Sequence, residues 1–290
     1  MTSETTATAA REQLRQIIEG DACVFPASVH DPISARIAEE LGFEMGMFAG
    51  SVASLTVLGA PDVILLTLSE FADQARRITR GSGLPVFCDA DHGYGNALNV
   101  KRTVEELENA GVAGLSIEDT DLPIQHGNAK QASLLSIEEG VGKIKAAVAA
   151  RQDKGLVIAG RTGAASITNI EDATRRLQAY EAAGADILFA VGVKTPEQLE
   201  TLSAATSLPL FMGGLPAAMM DRSTLAKHRV RIALQGHQPF AASVQAIYDT
   251  LSALRSGTMP ADLESVASKQ TMARLMRRED VDQDIDSFLS

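Results

Sequence analysis

Eight short apolar runs alternate with longer amphipathic stretches along the 290 residues of this chain, and that alternation constrains the fold more than any other feature. The runs occupy 23–26, 45–49, 85–89, 114–118, 156–161, 187–191, 209–212 and 231–235. Each has the length of a strand and is continuously apolar rather than alternating. Continuous apolarity means burial on both faces, the condition of parallel strands covered by helices. Between the runs lie helical patterns at 33–41, 68–79, 100–110, 138–150, 173–183, 197–205 and 240–254. Three of these end alike, in Glu40-Leu41-Gly42-Phe43, Asn109-Ala110-Gly111-Val112 and Ala182-Ala183-Gly184-Ala185. A glycine just past a helix takes the left-handed cap conformation at little cost, so the repeating unit is a strand followed by a helix. Eight such units predict an α/β fold of the (β/α)8 TIM-barrel type. A doubly wound sheet would open on a glycine-rich phosphate turn, and neither G-x-G-x-x-G nor G-x-x-x-x-G-K-[ST] opens a helix here.

The barrel is expected over 11–258, after a frayed tail at 1–10 and before a C-terminal helical extension at 259–290 that packs on a neighbouring subunit. The opening ten residues have neither a basic start nor an apolar stretch, so they do not read as a secretory signal. No segment approaches the ~20 uninterrupted apolar residues of a membrane helix. A net charge of −11 excludes a general affinity for nucleic acid or anionic membrane, both of which need a basic face. A small anionic substrate stays compatible with it where arginine, backbone N–H groups or a metal cancel the local charge. The two cysteines, Cys23 and Cys88, both lie in apolar runs, which argues against a disulfide scaffold or a zinc site and fits a reducing cytoplasm.

In a (β/α)8 barrel the working residues lie at the carboxyl ends of the strands, and the polar residues of this chain gather there. Ala49-Gly50-Ser51 follows the second run, Gly59-Ala60-Pro61-Asp62 comes shortly after, and Asp89-Ala90-Asp91-His92-Gly93-Tyr94-Gly95-Asn96 follows the third. Glu118-Asp119 ends the fourth, Arg161 the fifth, and Gly236-His237 follows the eighth. Asp89 and Asp91 are two apart, so continued strand geometry points both carboxylates the same way, into the barrel mouth. Two like charges held together are costly unless a cation joins them. With Asp62 and Glu118 nearby, the set is all oxygen and strongly anionic, which suits Mg²⁺, or Mn²⁺ as its substitute, rather than zinc. Arg161 ends a buried strand, where an unpaired guanidinium is expensive. It either pairs with an inner carboxylate or binds an anionic substrate, and the sequence leaves both open. Of the five histidines, only His92 and His237 fall at strand ends. Asp119 suits a cap or a salt bridge as well as a site.

These stretches, in this order and spacing, resemble the isocitrate lyase/phosphoenolpyruvate mutase superfamily over 21–254. The resemblance implies a Mg²⁺-dependent barrel that forms homotetramers, as dimers of dimers with helix swapping between subunits, and that takes a small 2-oxo acid. It implies that Asp89 ligates the metal directly while Asp62, Asp91 and Glu118 hold its waters. Gly50, Ser51 and Arg161 would grip the substrate carboxylate.

The departures from that pattern narrow the chemistry. Lyases of the superfamily carry Lys-x-Cys-Gly on a loop after the fourth strand, whereas this chain reads Thr120-Asp121-Leu122-Pro123-Ile124-Gln125-His126-Gly127-Asn128. A glutamate that lyases carry after the sixth strand is also missing, since the stretch is Ala190-Val191-Gly192. Retro-aldol cleavage needs a base and an acid that are not evident here. Decarboxylation of a 3-carboxy-2-oxo acid needs only an electron sink, because departing CO₂ leaves its electron pair behind. Together with His92-Gly93-Tyr94-Gly95-Asn96 and Gly236-His237, this resembles the branch that decarboxylates oxaloacetate to pyruvate through a metal-stabilised enolate. In that branch the histidine at position 237 contacts the substrate, so Asp89, Arg161 and His237 are the expected catalytic residues. The alternatives are a hydrolase of oxaloacetate or a related 2-oxo acid, a carbon–carbon lyase acting on a 2-hydroxy acid in which His126 or another loop residue replaces the thiol, and a non-catalytic homologue that binds 2-oxo acids.

Overall fold

The computed structural model describes residues 3–124, 126 and 132–289. These form one parallel sheet of eight strands: β1 Ala27–Ser28, β2 Gly46–Phe48, β3 Val86–Asp89, β4 Gly114–Glu118, β5 Val157–Thr162, β6 Ile187–Val191, β7 Leu210–Gly213 and β8 Val230–Ala233. They pair in chain order, and the ring closes where Val24 bridges Ile232. At that seam the Val24 N–H donates to Arg231 O at 2.8 Å and the Ala233 N–H to Val24 O at 3.0 Å. The expected (β/α)8 barrel is the observed fold. Only the first run lies differently: Val24 alone joins the ring before β1 begins at Ala27. Pro26 has no N–H to give a ladder, which interrupts pairing there. Gly42, Gly111 and Gly184 take φ of 77°, 84° and 98°, the left-handed caps expected of them.

Side chains alternate across each strand, which sorts the core into two layers. Inside the ring, Phe189 and Phe211 stack at 4.0 Å, and Phe87 meets Phe211 edge-on at 5.2 Å. Outside it, Val86, Cys88, Leu115, Ile117, Leu188 and Ala190 join the core under the helices. Cys88, next to Asp89, therefore points away from the ring interior, and burial raises its thiol pKa. Cys23 is also buried, which pushes its thiol up to about 11.

The helix Ser3–Glu19 overlaps the stretch expected as a tail at 1–10 and serves the barrel's lower end. Arg11 donates to Val112 O at 3.1 Å and to Glu108 O at 2.7 Å, and Arg15 donates to Gly155 O at 3.2 Å and Leu156 O at 3.1 Å. Fully buried Leu14 sits beside Phe87, and a Cβ at Gly114 would meet both. These partners are scattered from residue 87 to residue 156, so the opening residues alone carry no sign of them.

The chain divides into two compact units, Met1–Gly236 and His237–Ser290. The second contains the helices Gln238–Arg255, Lys269–Leu275 and Arg278–Phe288, the last two within the expected extension. Three short helices, Gly50–Ala53, Ala164–Ile167 and Arg222–Lys227, have no counterpart in the sequence pattern, since four to six residues are too few to show a period. Among the described residues no helix is long and apolar enough to cross a membrane.

Candidate active site at the mouth of the barrel

Three adjacent strands bring the first charged groups together. Asp89 ends β3 opposite Ser116 of β4, whose Oγ donates to Asp89 Oδ1 at 3.0 Å. Glu118 ends β4 opposite Arg161 of β5. The Arg161 guanidinium donates through Nη1 to Asp89 Oδ2, and its Nη2 lies 3.2 Å from Glu118 Oε2. It also sits 5.3 Å from the centre of the Phe189 ring, which forms the floor beneath it. Burial works against its charge, yet Asp89 and Glu118 hold its pKa above the ordinary value. Of the two roles left open for Arg161, pairing with inner carboxylates is the one this structure contains.

Asp91 reaches the same place by a different route from the one expected. Strand geometry does not persist past Asp89. Asp91 has φ 48° and Tyr94 φ 57°, with Gly93 at 76° and Gly95 at 146°. Left-handed backbone at a residue with a side chain costs about 1–3 kcal/mol, and such strain clusters at working sites. Several contacts hold the turn. The Glu118 N–H donates to Asp91 O at 2.8 Å, Thr103 Oγ1 to Gly93 O at 3.0 Å, and buried Lys143 Nζ to His92 O at 2.9 Å. The Asp91 carboxylate lies against the start of the helix Gly50–Ala53, where a Cβ on Gly50 would be 2.7 Å from Asp91 Oδ1. Any larger residue at 50 would displace that carboxylate. Burial first, then the charges of Asp89, Glu118 and Asp62, raise the Asp91 carboxyl well above the usual range. Glu118 is raised too, by burial and by Asp89 and Asp119 against the pull of Arg161.

Asp62, Asp89, Asp91 and Glu118 therefore act on one another with one guanidinium among them. Holding Asp89, Asp91 and Glu118 together in the mouth, with Asp62 acting on Asp91 from an exposed loop, is unfavourable unless a cation joins them, and the donor set is the oxygen-only kind that Mg²⁺ takes. Among the described residues no three His, Cys, Asp or Glu side chains converge as direct ligands. The set fits a divalent cation of this kind.

Two groups beside this cluster were not assigned roles from sequence. The Tyr94 hydroxyl and His92 Nδ1 are buried with no hydrogen-bond partner among the described residues. Burial, with the Lys143 ammonium adding to it, holds the His92 pKa down to about 4, so the ring is neutral at physiological pH. The two glycines flanking Tyr94 are the one local sign that this tyrosine is held unusually. Gly50 and Ser51 open their helix directly after β2, where the first N–H groups have no partner within the helix. Asp62 is exposed on the loop beyond them. His237 belongs to the second unit, as the residue before the helix Gln238–Arg255. Of the loop 120–128, Gln125, Gly127 and Asn128 lie outside the described residues.

Residues 14–255 match the family model of phosphoenolpyruvate phosphomutase. The chain belongs to that family. Within it, the chain is 59% identical to a Bradyrhizobium diazoefficiens protein named oxaloacetate decarboxylase, over 92% of both chains. It resembles the solved structure of oxaloacetate acetylhydrolase in complex with the inhibitor 3,3-difluorooxalacetate at a TM-score of 0.85, with 27% identity over 97% of each chain. It resembles phosphonopyruvate hydrolase in complex with oxalate and Mg²⁺ equally well, at a TM-score of 0.85 and 28% identity over 97% of this chain and 99% of the other. The acid-rich mouth of this member thus lies on a scaffold that, in the last of these neighbours, holds Mg²⁺ and a small dicarboxylate.

Proposed function

We propose that this chain decarboxylates oxaloacetate to pyruvate and CO₂ with the help of Mg²⁺. The observation that carries the reading is the mouth itself, four acids against one arginine, in a chain 59% identical to a relative named for that reaction. Asp89 would ligate the ion directly, and Asp62, Asp91 and Glu118 would hold its waters. When bound, the ion polarises the C2 carbonyl of the substrate and supplies the electron sink. Arg161, with Ser51 and the N–H groups that open the helix at Gly50, anchors the C1 carboxylate. His237 donates a hydrogen bond to the substrate and to the developing enolate. The C3–C4 bond breaks, its electron pair stays on C3 and conjugates with the carbonyl, and CO₂ departs. A proton from water then converts the enolate to pyruvate. The working form under this reading is a homotetramer in a reducing cytoplasm, where Cys23 and Cys88 stay free.

Product analysis tests it. Protein stripped with EDTA is given oxaloacetate with and without Mg²⁺, and pyruvate, oxalate and acetate are scored above the metal-only background. Mg²⁺-dependent pyruvate that disappears in Asp89→Ala supports the decarboxylase. Oxalate with acetate would instead make the chain a hydrolase like its structural neighbour, and no turnover above background would leave binding without catalysis.

A further inference from the structure

The strands of the barrel carry charge to one side of the mouth and none to the other. β3 and β4 end in Asp89 and Glu118, and β5 carries Arg161 one residue before its end. β6, β7 and β8 end in Val191, Gly213 and Ala233. Ala233 belongs to the layer under the helices. Val191 and Gly213 face the interior of the ring. They are paired in the sheet, and a Cβ on Gly213 would lie 3.2 Å from Val191 Cγ2 and 3.0 Å from Phe189 Cε2, the ring beneath Arg161. Val191 stands two residues beyond Phe189 on the same strand, so it rises about 7 Å above that floor toward the mouth. The first ionisable residue after β6, Lys194, is exposed.

Under the decarboxylase reading, on which this inference rests, the C1 carboxylate and the C2 carbonyl lie on the charged side. C4 is the far end of a four-carbon molecule, and the strands that follow Arg161 round the ring are β6 and β7. We infer that Val191 is the wall against which the departing C4 carboxylate is held, that Gly213 leaves the room for it, and that this wall promotes its loss by offering no side-chain charge or hydrogen bond. An ionised carboxylate placed there gives up water and gains no partner in return. When the C3–C4 bond breaks, its electron pair stays on C3 and conjugates with the C2 carbonyl. The negative charge thereby passes from the apolar side to the charged side, and neutral CO₂ remains against Val191. The wall thus disfavours the bound substrate more than the transition state.

Val191→Thr, which keeps the shape and adds a hydroxyl donor, tests the inference in the full-length, Mg²⁺-loaded protein. Its kcat for oxaloacetate should fall about tenfold and its KM should fall with it, the mark of an interaction made in the ground state and lost on the way to products. Calorimetric binding of oxalate, which lacks the C4 group, should match that of the parent. In the parent, 2-oxobutyrate, which carries a methyl group in place of the C4 carboxylate, should bind with a Kd no weaker than the KM for oxaloacetate. Lys194→Met should leave that KM unchanged. An undiminished kcat or a raised KM in Val191→Thr overturns the inference. So does 2-oxobutyrate binding more than tenfold weaker than that KM, or a KM raised in Lys194→Met, since either would give the carboxylate a partner. A parent that makes no pyruvate above the metal-only background fails the decarboxylase reading itself and takes this inference with it.

Discussion

Two buried clusters of acid and arginine diverge from the end of β4, where Glu118 faces the barrel mouth and its neighbour Asp119 faces the helices outside. In the outer cluster the charges balance. Asp119 Oδ2 accepts from Tyr180 Oη at 2.6 Å and from Arg176 Nη1 at 3.0 Å. Arg176 Nε continues to Asp172 Oδ2 at 3.0 Å, and Arg175 Nη2 meets Asp172 Oδ1 at 3.0 Å. In the inner cluster Arg161 pairs with both Asp89 and Glu118, and the charges of these two acids bear on buried Asp91 beside them. Groups that tie a helix to a barrel are matched in charge within the protein. Groups proposed to take a cation carry more negative charge than their arginine offsets.

The sharpest way to break this contrast is at Asp89. Asp89→Ala should abolish Mg²⁺-dependent turnover of oxaloacetate, a loss on the order of 10⁴-fold or more, with no fall in the urea midpoint. Retained turnover would remove the inner cluster from the chemistry. On the outer side, Arg176→Met leaves two acids buried without their partner and should destabilise the protein by about 3–5 kcal/mol. The kcat/KM of the folded fraction, measured well below the melting temperature, should hold. Activity lost at full stability would contradict a structural role. His237→Ala should cost about 10²-fold in kcat if the ring meets the transition state, and an unaltered rate takes His237 out of the scheme.

The smallest effects lie in pH, where the two clusters should respond with opposite sign. Asp91 and Glu118 are raised, so the metal-free protein has their contribution in full below the ordinary carboxylate pKa of about 4 and loses it as pH rises through their raised values. Mg²⁺ should restore it, and Asp91→Asn should flatten the decline. Asp172 is lowered: burial opposes ionisation, but hydrogen bonds from Arg176 and Thr168 outweigh it. Its contribution is present above about 4 and is lost as pH falls through the depressed value. Urea unfolding across pH, with EDTA and with Mg²⁺, separates the two. A metal-free stability that rises steadily from acid to neutral would deny the inner cluster its excess charge.

How much of this was legible in the sequence depends on how local each signal is. The runs at 114–118 and 187–191 coincide with β4 and β6, because strands buried on both faces advertise themselves residue by residue. Asp89, Glu118 and Arg161 followed from position at strand ends. The route of Asp91 did not, since alternation was extended one step beyond the strand while the backbone turned left-handed at Asp91 itself. Lys143 beneath His92, and Arg176 against Asp119, come from segments about fifty residues away, and their partners exist only once the helices have packed. The helix Ser3–Glu19 is the same case at the other end of the barrel, its arginines meaningful only beside the strands they serve.

Cys88 is covalently joined to Asp89, yet it turns its sulfur the other way, into a fully buried layer where the thiol stays protonated. Thiolate is the reactive form, so this sulfur is chemically silent at neutral pH. Iodoacetamide and mild peroxide, which disable enzymes that work through an exposed cysteine, should leave this one running. Its catalysis would then persist through oxidative stress that arrests cysteine-dependent members of the same superfamily.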